Sequence, residues 1–284
     1  MADLREVREW YAEEIRYAAA IEQEGIVTAF ATVPRESFLG LGPWAIHHVD
    51  GRYWQTPNDD PKHVYHNVVV AIDSTRRLNN GQPSWLASAI QTLVVREKDR
   101  VAHIGCGTGY YSAILAKIVG QEGHVIAVEV DGALAEHART NVACFPNIQI
   151  VNANGTDCEI GPCDAVLVNA GVSRLSLAWL EALKPGGRLL VPLTMSDDAN
   201  GTIGEGRSLK VTRAPEGYTA AFVNNVGIYH CIGGRDEKSL QQLRAAVQRA
   251  GWEPVASLRL DKHIREEECW LHAEDYCLST RPLV

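Results

Sequence analysis

The chain has 284 residues, 46% of them hydrophobic and 22% charged, with a formal net charge of −8 at neutral pH. These values lie near the averages for globular chains, which indicates neither a disordered nor a membrane class and suits one large α/β domain or a core domain with additions. The acidic balance disfavours a nucleic-acid partner, and no apolar run approaches the ~18 residues that a membrane-spanning helix needs.

In chain order, Leu4, Val7, Tyr11, Ile15 and Ala18 fall at helical spacing, which predicts an amphipathic helix over residues 3–22. From Thr32 to Asn80 the chain is rich in Pro, Gly, Asn, Asp and aromatic residues, which predicts irregular structure. Pro83 opens a predicted helix at Ser84 to Leu93. Strand patterns then follow at Val101–Gly105, Val125–Glu129, Ile148–Val151, Ala165–Asn169 and Arg188–Leu193. Helical patterns separate them at Tyr111–Val119, Ala133–Val142 and Leu175–Leu183. Short apolar strands alternating with helices predict an α/β fold with a doubly wound, mostly parallel sheet.

After Thr194 the pattern changes. Asp197 to Arg207 reads as a polar loop and Tyr218 to Cys231 as a strand. A helix is expected at Glu237 to Ala250, with strands near Val255–Leu260 and Cys269–Ser279. The expected organisation is an N-terminal helix and substrate-side irregular segment at 1–80, a core at 81–194, and C-terminal strands and helix at 195–284 that complete or extend the sheet.

The seven cysteines are odd in number and include no Cys-x-x-Cys pair, so neither a disulfide framework nor a zinc ribbon is indicated. His63-x-x-His66 lacks a further ligand at suitable spacing, and no metal site is expected. The start, Met1-Ala2-Asp3-Leu4-Arg5-Glu6, shows no signal-peptide pattern. A soluble, cytoplasmic protein with reduced thiols is the expectation.

The chemistry concentrates in Gly105-x-Gly107-x-Gly109, which follows a predicted strand and precedes a predicted helix. Glycines there permit a tight turn and a close backbone approach to a ligand, and the helix start at Tyr110 offers free N–H groups. Glu129 ends the next strand and is suited to accept hydrogen bonds from both hydroxyls of an unphosphorylated ribose. The glycine spacing departs from Gly-x-Gly-x-x-Gly, which favours S-adenosyl-L-methionine over a dinucleotide. Asn169, at the end of the fourth strand, is the candidate polar group near a transferred methyl. Tyr110 or Tyr111 is the candidate for a cation–π contact with a sulfonium.

The run His103-Ile-Gly105-Cys-Gly107-Thr-Gly109-Tyr110-Tyr111 resembles the first motif of protein-L-isoaspartate O-methyltransferases. Gly81-Gln82-Pro83 stands where that family has Ser-Gln-Pro. Gly123-His-Val-Ile-Ala-Val-Glu129, Asn154-Gly155, Asp164-Ala-Val-Leu-Val-Asn169 and Leu183-Lys-Pro-Gly-Gly-Arg-Leu-Leu-Val-Pro192 extend the likeness over about residues 79–193. The resemblance implies a Rossmann-like methyltransferase fold. It also implies O-methylation of a carboxylate on a protein or peptide, with Asn169 and Gln82 as catalytic candidates. Cofactor contacts would come from His103, Gly105, Gly107, Gly109, Tyr110, Glu129, Asn154, Gly155 and Asn169. Tyr65, His66, Asn79, Asn80 and Gly81 would lie on the acceptor side.

Three positions depart from the family pattern. His103 replaces an acidic residue that helps hold the methionine amino group, and Asn154 replaces an Asp that accepts from the adenine amino group. Gly81 removes the hydroxyl placed beside the substrate carboxylate. Two other readings therefore stand beside the first: a methyltransferase that modifies a biosynthesised peptide or small metabolite, and a non-catalytic S-adenosyl-L-methionine-binding regulatory protein. The sequence leaves the oligomeric state open.

Overall fold

The computed structural model describes residues 3–48, 50–195, 203–252 and 254–283. The chain divides into two compact units, Met1–Asp99 with Cys106–Asn152, and Arg100–Gly105 with Ala153–Val284.

In the first unit, helix α1 (Leu4–Ala18) starts where the Asp3 carboxylate accepts from the Arg5 N–H at 3.0 Å, and it buries Tyr11, Ala12 and Ile15. Helix α2 (Glu24–Thr32) buries Ile26, Val27, Ala29 and Phe30 and was not foreseen. Its N-cap, Gln23, makes no side-chain cap, so the sequence carries no start signal for it. The region expected to be irregular holds short pieces: a 3₁₀ turn at Arg35–Phe38, the antiparallel pair β1 (Ala45–His47) and β2 (Tyr53–Gln55), a second 3₁₀ turn at Pro61–Val64, and the antiparallel pair β3 (Ala71–Asp73) and β4 (Leu78–Asn79).

These pieces gather on Arg35, which is fully buried. Its guanidinium donates to the carbonyls of Val64 (2.8 Å), His66 (3.0 Å) and Val68 (2.8 Å). It also lies 5.8 Å from the ring centre of Tyr11 and 5.9 Å from that of Tyr110. Just beyond this turn, Asn67 accepts from the Ser84 N–H at 3.0 Å and so caps helix α3 (Pro83–Leu93). The remaining elements are helix α4 (Tyr110–Val119), β6 (His124–Glu129), helix α5 (Gly132–Asn141) and β7 (Ile148–Asn152). Strands β6 and β7 pair in parallel from Val125↔Ile148 to Glu129↔Asn152.

The second unit contains β5 (Arg100–Ile104), β8 (Cys163–Val168), helix α6 (Leu177–Glu181), β9 (Leu183–Met195), β10 (Ile203–Ala214), β11 (Gly217–Tyr229), helix α7 (Glu237–Ala250), β12 (Ser257–Arg259), β13 (Cys269–His272) and β14 (Cys277–Ser279). Its strands run in the order β13-β14-β12-β11-β10-β9-β8-β5. The pairs β5–β8 and β8–β9 are parallel, and every pairing from β9 outward is antiparallel. Asp164 ties the start of this core together by accepting from the Arg100 N–H at 2.8 Å and pairing with Lys184 at 2.7 Å.

Parallel strands alternating with helices, followed by an antiparallel extension, are the Rossmann-like plan with an extended C-terminal sheet that the sequence led us to expect. Three local expectations change. The loop expected at Asp197 to Arg207 is strand from Ile203 onward, and residues 196–202 lie outside the described residues. The glycines that suggested a loop serve strand packing: a Cβ on Gly206 would lie 2.0 Å from the Leu193 carbonyl, and one on Gly204 2.7 Å from Thr194 Oγ1. The strand expected over Cys269–Ser279 is two strands joined by a turn, and the helix expected at Leu175–Leu183 is only α6.

Helix α7 ends at Gly251, whose carbonyl accepts from Trp270 Nε1 at 3.0 Å. Trp252 stacks on Trp270 with centroids 5.8 Å apart at 28°, and Phe222 meets both rings edge-on. Among the described residues no helix is long and apolar enough to cross a membrane.

Arg35→Met keeps most of the stem volume but takes the guanidinium donor from the Val64 and Val68 carbonyls, whereas the His66 carbonyl keeps the Val68 N–H at 2.7 Å, so urea unfolding should show a loss of about 2–4 kcal/mol. A loss below about 0.5 kcal/mol, the size of an ordinary surface substitution, would show that the guanidinium does not organise this unit.

Candidate functional site

The glycine loop needs glycine at each of its three positions. Gly105, Gly107 and Gly109 take φ values of +77°, +57° and +92°, in the left-handed region that residues with a Cβ adopt at a cost. Gly105 ends the β5 segment of the second unit, where a Cβ would come within 3.3 Å of the Asn169 carbonyl oxygen.

In the first unit, Gly107 and Gly109 lead into α4. The Gly107 N–H donates to Glu129 Oε2 at 2.7 Å, and the Asp131 N–H donates to Glu129 Oε1 at 3.1 Å. Glu129 is only 7% exposed. Burial raises its carboxyl above the ordinary value, against the pull of the Asp131 and Gly107 N–H groups. Each carboxylate oxygen keeps a second acceptor position, so the two backbone bonds orient the group without exhausting it. Asn141 Nδ2 holds the loop from outside by donating to the Thr108 carbonyl at 3.0 Å.

Tyr110 and Tyr111 are buried within an aromatic cluster. Tyr110 packs on Phe38 at 5.5 Å and on Tyr111 at 4.9 Å, and Phe30 lies near both rings. Their rings thus pack in the unit that Arg35 organises. Tyr111 still reaches the segment expected on the acceptor side, because its hydroxyl donates to the Gly81 carbonyl at 3.3 Å.

That segment is also in the first unit. The buried Tyr65 donates to Glu36 Oε2 and receives the Arg35 backbone N–H at 3.1 Å. The His66 side chain is exposed. Asn79 accepts from the Tyr53 hydroxyl at 2.8 Å. Asn80 is buried, and its Oδ1 has no hydrogen-bond partner among the described residues. Gly81 has φ +83°, and exposed Gln82 begins α3 with Nε2 3.5 Å from the Asn67 carbonyl. Arg76 closes the segment onto α5 by pairing with Asp73 at 2.7 Å and with Asp131.

In the second unit, His103 is fully buried, and burial pushes its pKa down to about 4, so it is neutral at neutral pH. Asn169 donates its backbone N–H to the Ile104 carbonyl at 2.8 Å and lies with Nδ2 3.4 Å from the Gly105 carbonyl. It is therefore held against the start of the glycine loop. Asn154 is committed locally: its Oδ1 accepts from Thr156 N and Oγ1 at 3.1 and 3.0 Å, and its Nδ2 donates to Asp157 at 2.9 Å. Gly155 follows because a Cβ there would fall 2.4 Å from Ile104 Cγ2, and its carbonyl accepts from Trp179 Nε1 at 2.7 Å.

Sequence reasoning missed Arg35 and Asn67, whose partners lie across irregular chain. It also missed a group of four side chains of metal-binding type that lie together in the second unit, His263, Cys269, His272 and Cys277. Only the spacing Cys269-x-x-His272 hinted at it.

Comparison with known proteins gives a coherent result. The family model described as protein-L-isoaspartate(D-aspartate) O-methyltransferase (PCMT) matches residues 8–203, more than half of the chain. A protein-L-isoaspartate O-methyltransferase of Thermotoga maritima is 30% identical over 176 residues, covering 60% of this chain and 50% of that protein. The chain therefore spans about half the length of that relative. One from Ignicoccus hospitalis is 27% identical over 202 residues, covering 70% of this chain and 84% of the relative. A Plasmodium falciparum chain, assigned to protein-L-isoaspartate O-methyltransferase and solved with S-adenosyl-L-homocysteine, superposes with a TM-score of 0.61 at 17% identity over 79% of this chain and 97% of its own. That last likeness is one of fold.

The depressed His103 pKa has a signed consequence. Below about pH 6.5 the unfolded chain binds a proton that the native state refuses until about pH 4, so stability falls as pH drops through that window. His103 contributes at most about 1.4 kcal/mol per pH unit there. Thermal or urea melts of His103→Asn across the window should show a flatter pH slope than the parent; an unchanged slope would show that His103 titrates normally.

Proposed function

The chain belongs to the protein-L-isoaspartate(D-aspartate) O-methyltransferase family, and on that footing we propose that it methylates a carboxylate oxygen of an isoaspartyl-type protein or peptide, using S-adenosyl-L-methionine. The observation that carries this reading is Glu129, a buried carboxylate aligned by the Gly107 and Asp131 N–H groups with acceptor positions to spare. The S-adenosyl-L-homocysteine in the Plasmodium chain of like fold supports the choice of cofactor.

When bound, S-adenosyl-L-methionine supplies a methyl group on a positively charged sulfur, open to in-line displacement. The acceptor carboxylate is ionised at neutral pH, given a reference pKa of ~4, so the residues need to orient rather than deprotonate it. We assign ribose binding to Glu129 and backbone approach to Gly105, Gly107 and Gly109. Neutral His103 stands where the family acid would hold the amino group, and it can accept one hydrogen bond there. Asn154 and Gly155 mark the adenine side, where the Asn154 amide shapes the turn that carries it. Asn169 positions the glycine loop. Gln82, Asn80 and Asn79 offer amides to the acceptor, with Gly81, His66 and Tyr65 shaping the same segment.

One observation favours a second acceptor class, a peptide made by biosynthesis and then modified. Gly81 sits at φ +83°, where a hydroxyl-bearing residue is strained. The segment is thus built for glycine, and the family hydroxyl cannot be restored without local cost. We place the protein in the cytoplasm and expect no nucleic-acid partner; the acidic charge supports the second of these.

Labelled S-adenosyl-L-methionine with an isoaspartyl peptide should give a base-labile methyl ester, and the matching aspartyl peptide should give none. Absence of ester above background would remove the isoaspartyl acceptor and leave the modified-peptide reading. Separately, Glu129→Ala should weaken S-adenosyl-L-methionine binding by about 10- to 100-fold in calorimetry, the worth of a hydrogen-bonded charge. Because the Glu129 pKa is raised, parental affinity should also fall on acidification at a higher pH than an ordinary glutamate would cause. Unchanged affinity of the variant would place the ribose elsewhere.

A further inference from the structure

We propose that the second unit carries a tetrahedral zinc site formed by His263, Cys269, His272 and Cys277. The potential ligand atoms of these four side chains all lie within 4.8 Å of one another. Zinc bonds of about 2.0–2.3 Å in a tetrahedron put ligand atoms about 3.3–3.8 Å apart, so a contraction of about 1 Å closes the set.

The C-terminal ladder explains how residues at this spacing come together. His272 and Cys277 are directly opposed across the β13–β14 pair, which puts their side chains on one face. Cys269 lies three residues before His272, and in a regular strand an odd separation would send the two to opposite faces. The register shifts between Cys269 and Leu271, so Cys269 pairs with Ser279, which shares a face with Cys277. That extra residue in β13 is a bulge, and it turns Cys269 toward the side of His272 and Cys277.

The fourth residue arrives on the loop between β12 and β13. Arg259 in β12 pairs with Asp261 at 2.7 Å and with Glu266 at 2.8 Å, which draws the loop back over the ladder. His263 is nearly enclosed, its side chain 9% exposed. Its Nδ1 lies 2.9 Å from the Asp261 carbonyl and 3.3 Å from Asp261 Oδ2. A proton on Nδ1 satisfies these acceptors and leaves the Nε2 lone pair facing Cys269 Sγ, 3.4 Å away. The Glu266 N–H donates to the same sulfur at 3.3 Å. His272 Nδ1 is buried with no hydrogen-bond partner among the described residues, and its ring meets that of His263 at 4.8 Å.

Two thiolates and two neutral imidazoles in a tetrahedral S₂N₂ set suit zinc, and their charges cancel that of the ion. Both thiols lose a proton to solvent on binding. Four protein ligands leave no open position, so the ion is structural: it fixes the loop and the β13–β14 hairpin and takes no part in methyl transfer.

The full chain, expressed with zinc, purified without chelator or metal-affinity resin and exhaustively desalted, should contain about one zinc per chain by elemental mass spectrometry, as a closed four-ligand site requires. Cys277→Ser and His272→Ala should retain about a tenth of that or less, whereas Cys144→Ser, which changes an exposed cysteine outside the cluster, should retain it all. Chelator-stripped parent titrated with cobalt(II) should develop the visible bands of tetrahedral thiolate coordination; this needs no variant to fold. Zinc at background with no cobalt spectrum overturns the proposal, as does parental zinc content in Cys277→Ser. Thiol titration of the stripped, unfolded parent should count all seven cysteines. A pair protected until reduction would assign Cys269 and Cys277 to a disulfide and also overturn it. None of these readouts depends on methyl transfer.

Discussion

A single buried cation governs the first unit. Among the described residues Arg35 has no carboxylate in ion-pair contact with its guanidinium; its charge is met by the carbonyls of Val64, His66 and Val68 and by the faces of Tyr11 and Tyr110. A buried charge without a carboxylate is costly unless its donors find acceptors; the two terminal nitrogens find theirs on the chain from Val64 to Val68, while Nε has none among the described residues, so that stretch has little freedom to depart from its path. That path delivers Asn67 to the N-terminus of α3, and Tyr110 joins the cluster at the first turn of α4. The segment assigned to the acceptor and the helix that follows the glycine loop are thus built around one guanidinium.

Glu129 shows a different balance of forces. Burial opposes its charge, while backbone N–H groups, chiefly those of Asp131 and Gly107, favour it. In a folding sense the residue is a burden, because a raised carboxylate pKa means that ionisation costs stability at neutral pH. The ribose-binding role proposed for it would draw on the same feature, because an aligned, desolvated acceptor recognises a pair of hydroxyls more sharply than a solvated one.

Much of this was legible in the sequence, for reasons that differ by element. Strands β5 to β8 and helices α3, α4, α5 and α7 were found because their apolar period and their Pro, Gly and Asp boundaries agree with their final state. Helix α2 was missed because it is short, apolar on several sides and uncapped. Strand β10 was missed because Gly204 and Gly206, needed for close approach to β9, read as loop residues. At the candidate site, the glycines forced by positive φ were legible, and so was the position of Glu129 at the end of β6, where its carboxylate accepts from the Gly107 and Asp131 N–H groups. Asn154 was read as an adenine contact, while its amide is committed to Thr156 and Asp157. The His263, Cys269, His272 and Cys277 cluster was passed over because its spacing makes sense only with a bulge and a folded-back loop, neither of which leaves a periodic trace.

The stacked Trp252 and Trp270 rings lend the C-terminal sheet an optical identity of its own. Two indoles 5.8 Å apart and inclined by 28° couple their transition dipoles, which gives rise to an exciton signal in circular dichroism. Trp270 directly follows Cys269 in the bulged strand, so this signal reads the packing of the hairpin and not the chain at large. The fold thereby carries a native chromophore pair, through which events in its last forty residues can be watched in solution without any label.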